Sequence, residues 1–337
     1  MSKWYYENGD QGDVVISSRV RLARNLNDYP FPCRLNSQGR QEVCKRVWGS
    51  LEGIKALKLS YIDMAEMDSP HAVALAERHL ISPEFAAAAK GRGLILSEDE
   101  SVSIMINEED HIRLQVIKSG FALDEAFSEA DRLDSLLDES LKYAFDERLG
   151  YLTQCPTNLG TGMRASVMLH LPALTKLNRI SRLASTVSKL GMVIRGTYGE
   201  GSGALGDVYQ LSNQVTLGIS EKSALDNLKS IALQIATRER TARDELSGSI
   251  DFEDRICRAY GILTTARLIN TEEMTDLMSY CRLGVAAGML PLDMQDINEI
   301  MVTMQPANLM CSNPECRDAS VRDEVRARLI REKLSKK

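Results

Sequence analysis

Long hydrophobic runs are missing from this chain of 337 residues. No apolar stretch reaches the roughly 18 residues that a membrane-spanning helix requires. The first nine residues, MSKWYYENG, lack the apolar core of a secretory signal. The sequence therefore predicts a cytoplasmic protein, and a chain of this length can build one large domain and a smaller one.

Paired cysteines are also missing. The seven cysteines are scattered and odd in number, and no CxxC pair occurs. This pattern supports neither a disulfide framework nor a zinc site, and we predict no protein metal ligands. Lysine is scarce, since only 14 of the 41 basic residues are lysines. The excess of arginine suits phosphate recognition, because a planar guanidinium can donate two parallel hydrogen bonds to phosphate. The net charge of −6 argues against nucleic acid as the main partner.

The motifs of common nucleotide-binding folds are absent or fail in context. Gly201-x-Gly203-x-x-Gly206 satisfies the pattern GxGxxG. A strand-like run follows it at 208–217, whereas a Rossmann motif opens a helix. HRD and DFG strings and a Walker A sequence do not occur, which argues against the usual protein kinases and P-loop enzymes.

The hydrophobic pattern predicts strands mixed with helices, followed by helices alone. Strands are expected at 14–22, 94–97, 102–107, 111–117, 151–154, 165–171, 191–196 and 208–217. Helices are expected at 40–60, 69–90, 124–149, 223–243, 251–269, 271–288, 293–304 and 320–335. The short polar breaks within 94–117 indicate an antiparallel meander. The best candidate linker is Ser247-Gly-Ser-Ile250. We therefore predict an α+β catalytic domain over 12–245 and a helical domain over 250–337.

The string SSRVRLARN, residues 17–25, places two arginines on one face of a predicted strand. Alternate residues of a strand share a face, so Arg19 and Arg21 point the same way. Two neighbouring guanidinium groups repel each other unless an anion lies between them. An isolated RxR is commonest on a solvated edge strand, and only the longer string favours a phosphate site.

The string NEEDHIR, residues 107–113, combines carboxylates with an arginine. On a continuous strand Glu109, His111 and Arg113 share one face, while Glu108 and Asp110 lie on the other. A carboxylate and an arginine on one face can address a guanidinium and a phosphate together. Clustered acids can also have raised pKa values, which would help one of them act as a base. A charged β-turn is the alternative interpretation.

The string CPTNLGTGMRASVM, residues 155–168, is the most specific of the three. It sets a thiol, two glycines in a polar turn and an arginine before an apolar run that predicts a strand. This arrangement suits binding an anion and a guanidinium group.

Together these strings resemble the signature of the phosphagen (guanidino) kinases. The resemblance implies a phosphagen-kinase-like catalytic domain, with an antiparallel sheet flanked by helices. It implies transfer of the γ-phosphate of ATP, with Mg²⁺, to a guanidinium group. Glu109 would be the base, and Cys155 would lie beside the substrate guanidinium. Nucleotide contacts are implied for Ser17, Ser18, Arg19, Val20, Arg21, His79, Arg113, Arg164, Ala165, Ser166, Val167, Met168, Arg195, Gly196, Thr197, Tyr198 and Gly199.

Three departures from the typical pattern resemble the protein arginine kinase branch of that family. Only 16 residues precede Ser17, where typical members carry a helical domain, and this predicts a guanidinium pocket open enough for a polypeptide. The loop RGTYGEGSGALG, residues 195–206, resembles the loop of that branch and implies that Glu200 meets the target guanidinium. The string RDEVRA matches a motif of the branch that implies an allosteric phosphoarginine site, formed by Arg322, Asp323, Arg326 and Ala327.

The same resemblance implies a biological setting. The protein would phosphorylate proteins with exposed arginines and mark them for Clp-dependent degradation in the stress response. Its partners would include a zinc-finger activator, a heat-shock repressor and an AAA+ Clp chaperone-protease. It would form a homodimer or a higher homo-oligomer, with dimerisation and phosphoarginine sensing in the helical domain, and would bind neither nucleic acid nor membrane. Two alternatives stay open at this point: a kinase of a free guanidino metabolite, and an inactive scaffold that binds phosphoarginine.

Overall fold

The computed structural model describes residues 3–196 and 204–335. The strands in these ranges are β1 (Val15–Arg24), β2 (Leu59–Asp63), β3 (Gly93–Ser97), β4 (Val102–Ile106), β5 (Ile112–Ser119), β6 (Phe145–Asp146), β7 (Gly150–Tyr151), β8 (Met163–His170), β9 (Met192–Gly196) and β10 (Val208–Asn213). Eight of them form one antiparallel sheet in the order β2-β3-β4-β5-β1-β8-β10-β9, and β6 pairs with β7.

The helices of the described ranges are α1 (Ser37–Gly49), α2 (Ser69–Glu77), α3 (Pro83–Ala87), α4 (Leu123–Asp138), α5 (Pro172–Lys176), α6 (Ile180–Ser188), α7 (Glu221–Leu246), α8 (Ile250–Thr265), α9 (Thr271–Ala286), α10 (Met294–Thr303), α11 (Pro306–Ser312) and α12 (Ala319–Leu334). Helix α4 packs on β1 and β5, and α7 packs on β8 and β10. The mixed sheet domain followed by helices confirms the predicted α+β class. None of the described helices is long and apolar enough to cross a membrane.

Three predicted helices are too long. The helix predicted at 69–90 is interrupted: α2 ends at Glu77, His79 has φ +61°, and α3 begins only at Pro83. The helix predicted at 40–60 ends at Gly49, and the chain continues through a 3₁₀ turn at Lys55–Leu57 into β2. Lys58, which ends that turn, has φ +46°, a conformation that no helix continues. The pairing of β2 with β3 then outweighs the helical pattern.

The helix predicted at 124–149 ends at Asp138. The chain folds back there, and the Tyr143 hydroxyl donates a hydrogen bond to Asp134 Oδ1 at 3.1 Å. The strand predicted at 151–154 shrinks to Gly150–Tyr151. Helices α5, α6 and α11 were not predicted, because each has fewer than ten residues and shows too few turns for a clear period.

Strand β1 lies at the centre of the sheet, between β5 and β8. Val20 and Leu22 are buried, and Arg19 and Arg21 alternate with them, so the two arginines share the opposite face of the strand as predicted. Arg21 lies opposite Arg164 of β8. The register of the sheet therefore brings arginines from two separate strings side by side.

The C-terminal helices have a core of their own, which includes Met274, Met278, Ile297 and Ile330. A buried polar contact nevertheless ties them to the start of the chain. Arg282 of α9 is fully buried, and it donates to the Gly12 carbonyl at 2.6 Å and to Asn298 Oδ1. Asn298 of α10 donates in turn to the Glu7 carbonyl at 3.1 Å. The division at 245–250 stays a prediction, although the predicted linker is a short turn between α7 and α8.

A second buried contact joins α9 to the sheet. His170, at the end of β8, places Nε2 2.8 Å from the Ser279 hydroxyl. That hydroxyl donates to Asp207 Oδ2 at 3.0 Å, just before β10. Burial, and then the charge of Arg282, hold the pKa of His170 well below its usual value, so the ring is neutral. Helix α9 thus holds the end of β8 and the start of β10 in place.

Candidate active site

The string NEEDHIR begins with a tight turn rather than a strand. Asn107 has φ +61°, and its N–H donates to the His111 carbonyl at 3.0 Å. Its side-chain amide donates to the Arg40 and Gly91 carbonyls, each at 2.9 Å. These bonds fix the turn against α1 and the segment before β3. Asparagine suits this position for two reasons. It tolerates positive φ better than most residues, and its carboxamide can donate to two carbonyls.

Asp110 fixes the other side of the turn. Its Oδ1 accepts hydrogen bonds from Asn25 Nδ2 at 2.6 Å and from the Gln154 N–H at 2.8 Å. Burial raises the pKa of Asp110, and these two bonds partly offset that effect. The bond to Gln154 places the turn beside Cys155, so two strings that lie about forty positions apart meet here.

The predicted alternation along 107–113 is wrong. Strand β5 begins only at Ile112, so Glu109, His111 and Arg113 do not share a strand face. His111 is fully buried, where its Nδ1 accepts from the Leu26 N–H at 3.1 Å. A turn, unlike a strand, does not send alternate side chains to opposite faces.

Glu108 is the carboxylate that pairs with Arg113. The Arg113 Nη1 and the Ser82 hydroxyl both donate to it in short contacts. Sequence reasoning placed Glu108 on the opposite face and gave it no role. The only signal for it was the doubled glutamate in NEED, which does not say which carboxylate faces the arginines.

A single pocket collects residues from all three strings. Arg21 comes from β1, Glu109 and Arg113 from the turn and β5, and Cys155 and Arg164 from the segment that leads into β8. Its full lining is Arg21, Ala23, Glu108, Glu109, Asp110, Arg113, Cys155, Thr157, Asn158, Gly162 and Arg164. The Cys155 Sγ lies 3.0 Å from the Thr157 hydroxyl. The structure therefore brings together the predicted base, the predicted thiol and three of the predicted phosphate-binding arginines.

The arginines of this face crowd one another. Burial is the largest cause that lowers the Arg21 pKa well below its usual value, and Arg19, Arg113 and Arg164 lower it further. Burial and Arg113 lower the pKa of Arg19 to about 10, which still leaves it charged at neutral pH. Such a cluster is costly without an anion, because each cation is desolvated beside others of the same sign.

Arg164 and Arg195 extend the cluster. Burial, then Arg113 and Arg195, lower the Arg164 pKa, while Cys155 and Glu109 oppose that change. Arg195 lies on β9 opposite Gln210, and Gln210 accepts a short hydrogen bond from Arg19 Nη2. Gln210 is a second residue that the sequence did not signal, since it lies in an ordinary strand pattern.

His79 lies beside the arginine row. It has φ +61°, and its carbonyl accepts from Gln115 Nε2 at 2.8 Å. Burial and then the charge of Arg19 lower the His79 pKa to about 4, so its imidazole is neutral at physiological pH. The structure thus places His79 within electrostatic reach of Arg19.

The other predicted contact residues divide between the two faces of the sheet. Ser17, Ser166 and Met168 lie on β1 and β8 at the register positions that share the face of Arg19 and Arg164. The residues that alternate with them are buried towards the helices, and they are Ser18, Val20, Ala165 and Val167. The Ser18 hydroxyl, for example, donates to the Gly120 carbonyl at 2.9 Å. The side chains of this second group therefore do not reach the arginine face, and the nucleotide contacts expected of these residues stay a prediction.

The predicted loop contacts can be placed only in part. Gly196 ends β9 and lies opposite Tyr209. Thr197, Tyr198, Gly199 and Glu200 lie outside the described residues.

Two family models match the chain. That of the ATP:guanido phosphotransferase C-terminal catalytic domain matches residues 41–242, and that of the protein-arginine kinase McsB C-terminal domain matches residues 249–337. A protein-arginine kinase of Brevibacillus brevis is 46% identical over 339 residues, which cover 99% of this chain and 95% of that one. The chain belongs to the protein-arginine kinase family. The predicted family and enzyme class are confirmed.

Further comparisons show what the chain is similar to in sequence and in fold. A protein-arginine kinase of Caldanaerobacter subterraneus subsp. tengcongensis is 44% identical and covers 96% of this chain and 98% of that one. The duplicated taurocyamine kinase from Schistosoma mansoni, solved with transition-state-analogue components, has a TM-score of 0.63 and 25% identity. That match covers 77% of this chain but only 41% of the taurocyamine kinase. A lombricine kinase has a TM-score of 0.62 and 28% identity, with 72% and 70% coverage.

The Mg²⁺ ion that the family typically uses would be held in this pocket mainly by substrate phosphates and water, rather than by a cage of protein ligands. Within 3–196 and 204–335, no group of three or more His, Cys, Asp or Glu side chains could hold a metal. Glu108 and Glu109 line the pocket. Mg²⁺ is commonly held by one or two carboxylates together with substrate phosphates and water, and this pocket can provide such a set.

The distal string of the protein-arginine kinase lies on α12. Arg326 is fully buried, and its guanidinium donates to the carbonyls of Met304 at 2.9 Å and Ile269 at 2.8 Å. It also donates to Asp323 Oδ1 at 2.6 Å. Ala327 is buried in the core of the C-terminal helices. Arg326 therefore fixes Asp323 and the start of α9 in place.

Arg322 lies one turn before Arg326 and is half-buried. Its Nη1 donates to the Cys316 and Arg317 carbonyls at 3.1 and 2.8 Å. Burial is the largest cause that lowers the Arg326 pKa, and Arg322 contributes to the same shift. The two guanidinium groups are thus electrostatic neighbours, as the spacing of four residues predicts.

Proposed function

We propose that this protein transfers the γ-phosphate of ATP to the side chains of arginine residues in proteins. The observation that carries the proposal is the single pocket in which Arg21, Arg113 and Arg164 meet Glu109 and Cys155. A polyphosphate would relieve the repulsion among the arginines, and a guanidinium would find a carboxylate and a sulfur atom beside them.

The arginines neutralise the transferring phosphoryl group. Arg21, Arg113 and Arg164 line the pocket of the reacting groups, while Arg19 lies one step further along β1, where the other phosphates of ATP would follow. Bound Mg²⁺ would supply further neutralisation of phosphate charge. Because phosphoryl transfer needs little covalent help, positioning and charge account for most of the rate.

Glu109 makes the target nitrogen nucleophilic. An arginine guanidinium is protonated at neutral pH and carries no available lone pair. In the proposed step Glu109 accepts a proton from an Nη atom, which attacks the γ-phosphorus as the bond to the ADP oxygen breaks. Cys155 contacts the guanidinium and helps to orient it. Glu200, by its family resemblance, would assist Glu109.

We expect proteins to be better substrates than free guanidino compounds. The test supplies ATP with an unfolded protein, free arginine or creatine, and counts acid-labile phosphate on each. The expected result is phosphoarginine on the protein, with kcat/KM for each small compound lower by about a hundredfold or more, roughly 2.7 kcal/mol. Equal or faster turnover of a free compound would favour the metabolite kinase. Binding of phosphoarginine without any ATP turnover would favour the inactive scaffold.

We further propose that phosphorylated proteins are delivered to an AAA+ Clp chaperone-protease in the cytoplasm during stress. A zinc-finger activator and a heat-shock repressor would be partners, and the protein would act as a homodimer or a higher homo-oligomer. The family membership supports these proposals. Quantifying acid-labile phosphoarginine in cells with and without the Clp protease tests them, because equal levels on all proteins would refute delivery to that protease.

The distal string is proposed as an allosteric phosphoarginine site. Arg322 would bind the phosphate and Asp323, held by Arg326, would bind the guanidinium. The double variant Arg322→Ala with Asp323→Ala removes two charge-assisted contacts of roughly 1.5 kcal/mol or more each. We expect affinity for free phosphoarginine, measured by calorimetry, to fall by about a hundredfold or more. Arg328→Ala, an exposed change on the same helix, is the matched control. Wild-type affinity and kinetics in the double variant would refute the site.

A further inference from the structure

We propose that a basic groove beside the reactive pocket binds an acidic segment of the protein substrate, close in sequence to the target arginine. The groove is formed by Arg40, Lys45, Trp48, Tyr61, Lys90 and Arg92. The inference rests on the proposed transfer of phosphate to protein arginines, and it names the kind of substrate sequence that is preferred.

The basic groove is much larger than the reactive pocket. Its volume is about 930 Å³, whereas the pocket that contains Glu109 and Cys155 has a volume of about 130 Å³. Helix α1 forms one wall of the groove, and β2 with the segment before β3 forms the other. The reactive pocket has room for the reacting groups, and the groove has room for several residues of a polypeptide.

The groove is positively charged on a protein that is negatively charged overall. Among the described residues that line it, four are basic and Asp63 is the only acidic one. The whole chain, in contrast, carries a net charge of −6. A local excess of cations in a cleft attracts anionic groups and repels cationic ones. Acidic peptide segments are therefore the ligands whose charge complements the groove.

The two arginines of the groove are fixed by neutral partners. Arg92 Nε donates to the Asn107 carbonyl at 3.3 Å, and Arg40 Nη2 donates to the Pro32 carbonyl at 2.9 Å. Within 3–196 and 204–335, no carboxylate forms an ion pair with either guanidinium. The hydrogen bonds thus orient the two groups and leave their charge available to a ligand.

The lysines and the aromatic residues complete the groove. Lys45 and Lys90 are exposed, and no carboxylate of the described residues pairs with either of them. Their flexible stems let the ammonium groups move to meet an anion. The rings of Trp48 and Tyr61, with centroids 5.9 Å apart, add apolar surface to the same groove. Apolar and cationic groups together suit a peptide better than a free inorganic anion.

One turn of the chain separates the groove from the reactive pocket. Asn107 accepts from Arg92 of the groove and donates to the Arg40 carbonyl, while Glu108, the next residue, lines the reactive pocket. Burial lowers the pKa of Arg92, and the charge of Glu108 opposes that shift, so these two groups are also electrostatic neighbours. Since an extended chain advances about 3.3–3.6 Å per residue, a polypeptide that leaves the pocket past this turn enters the groove within a few residues of its target arginine.

The first experiment varies the charge of the substrate. Each peptide has one arginine and a run of three aspartates, serines or lysines about three positions away, in separate sets for the two sides. In one set or both, kcat/KM at saturating ATP should be about five- to tenfold higher for aspartate than for serine, through a lower KM, and lowest for lysine. Raising the salt from about 50 to about 500 mM should remove most of this difference. Equal kcat/KM for the three peptides in both sets would overturn the proposal.

The second experiment reverses the charge of the groove, because the arginines of the reactive pocket could also attract an acidic peptide. In the double variant Lys45→Glu with Lys90→Glu, the lysine peptide should become the best substrate and the aspartate peptide the poorest, while kcat for the serine peptide stays at the wild-type value. Lys189→Glu with Arg238→Glu makes the same change in net charge at exposed positions that do not line the groove, and it should keep the wild-type order. The wild-type order in the Lys45 and Lys90 variant would show that the groove does not bind the substrate.

Light scattering on the same proteins tests a different occupant, a second copy of the chain. We expect the wild type and both double variants to have the same molar mass. If the variant of Lys45 and Lys90 changes its oligomeric state and keeps the wild-type order of peptides, the groove is a contact between copies and the proposal is wrong. Absence of phosphate transfer to every peptide by the wild type would instead count against the proposed function.

Discussion

Replacing Glu109 with glutamine is expected to lower kcat by at least about a hundredfold, the usual contribution of a positioned general base. The variant keeps the size and most of the polarity of the side chain but cannot accept the proton. Among the described residues no hydrogen bond or ion pair to the Glu109 carboxylate is found, so the melting temperature should stay close to that of the wild type. Initial rates at saturating ATP and protein substrate measure the effect.

Glu108→Gln is the matched control for this experiment. Glu108 neighbours Glu109 but pairs with Arg113 and Ser82, so its loss should disturb an arginine rather than the proton acceptor. We expect KM for ATP to rise while kcat falls less than in Glu109→Gln. If Glu109→Gln retains full activity, or if Glu108→Gln is the variant that loses kcat, the base assignment is wrong.

Arg21→Gln should change activity and stability in opposite directions. Arg21 is desolvated and faces Arg19, Arg113 and Arg164, which together lower its pKa well below the usual value. Removing its charge relieves that repulsion, so the nucleotide-free variant should melt a few degrees higher, the equivalent of about 1 kcal/mol. It should also lose about a thousandfold in kcat/KM, as when an arginine that stabilises a transferring phosphoryl group is removed.

The comparison with a surface arginine isolates this effect. Arg148 is exposed, so Arg148→Gln should leave both the melting temperature and kcat/KM unchanged. Adding ADP should raise the melting temperature of the wild type more than that of Arg21→Gln, because the variant gains less from an anion. A lower melting temperature of Arg21→Gln without nucleotide would show that the arginine cluster does not strain the fold.

Local patterns in the sequence predicted the parts of the site that depend on neighbouring residues. The alternation in SSRVR placed Arg19 and Arg21 on one face, because strand geometry alone decides it. The strand alternation predicted for 107–111 was wrong. Asn107 adopts φ +61° there and contacts residues from α1 and from the segment before β3. Those contacts cross long stretches of sequence, and no local pattern encodes them.

Contacts between distant segments account for the other omissions. The register that sets Arg21 opposite Arg164 depends on how two strands pair across the whole sheet. The basic groove joins residues of α1 and β2 with the segment before β3. A strand or helix pattern signals that a side chain is buried or exposed, but it does not identify the partner. The helix predicted at 124–149 was too long for the same reason. It ends at Asp138, where the chain turns back and Tyr143 contacts Asp134.

The buried bond between Arg282 and Gly12 has a consequence for the order of events during translation. The Gly12 carbonyl is synthesised 270 residues before its partner, which at about 5–20 residues per second corresponds to roughly 15–50 seconds. Asn298 reaches the Glu7 carbonyl later still. Throughout that interval the first segment of the nascent chain lacks its final partners. Ribosome-bound chains that stop before α9 should therefore leave this segment open to proteolysis, and chains released after α10 should protect it.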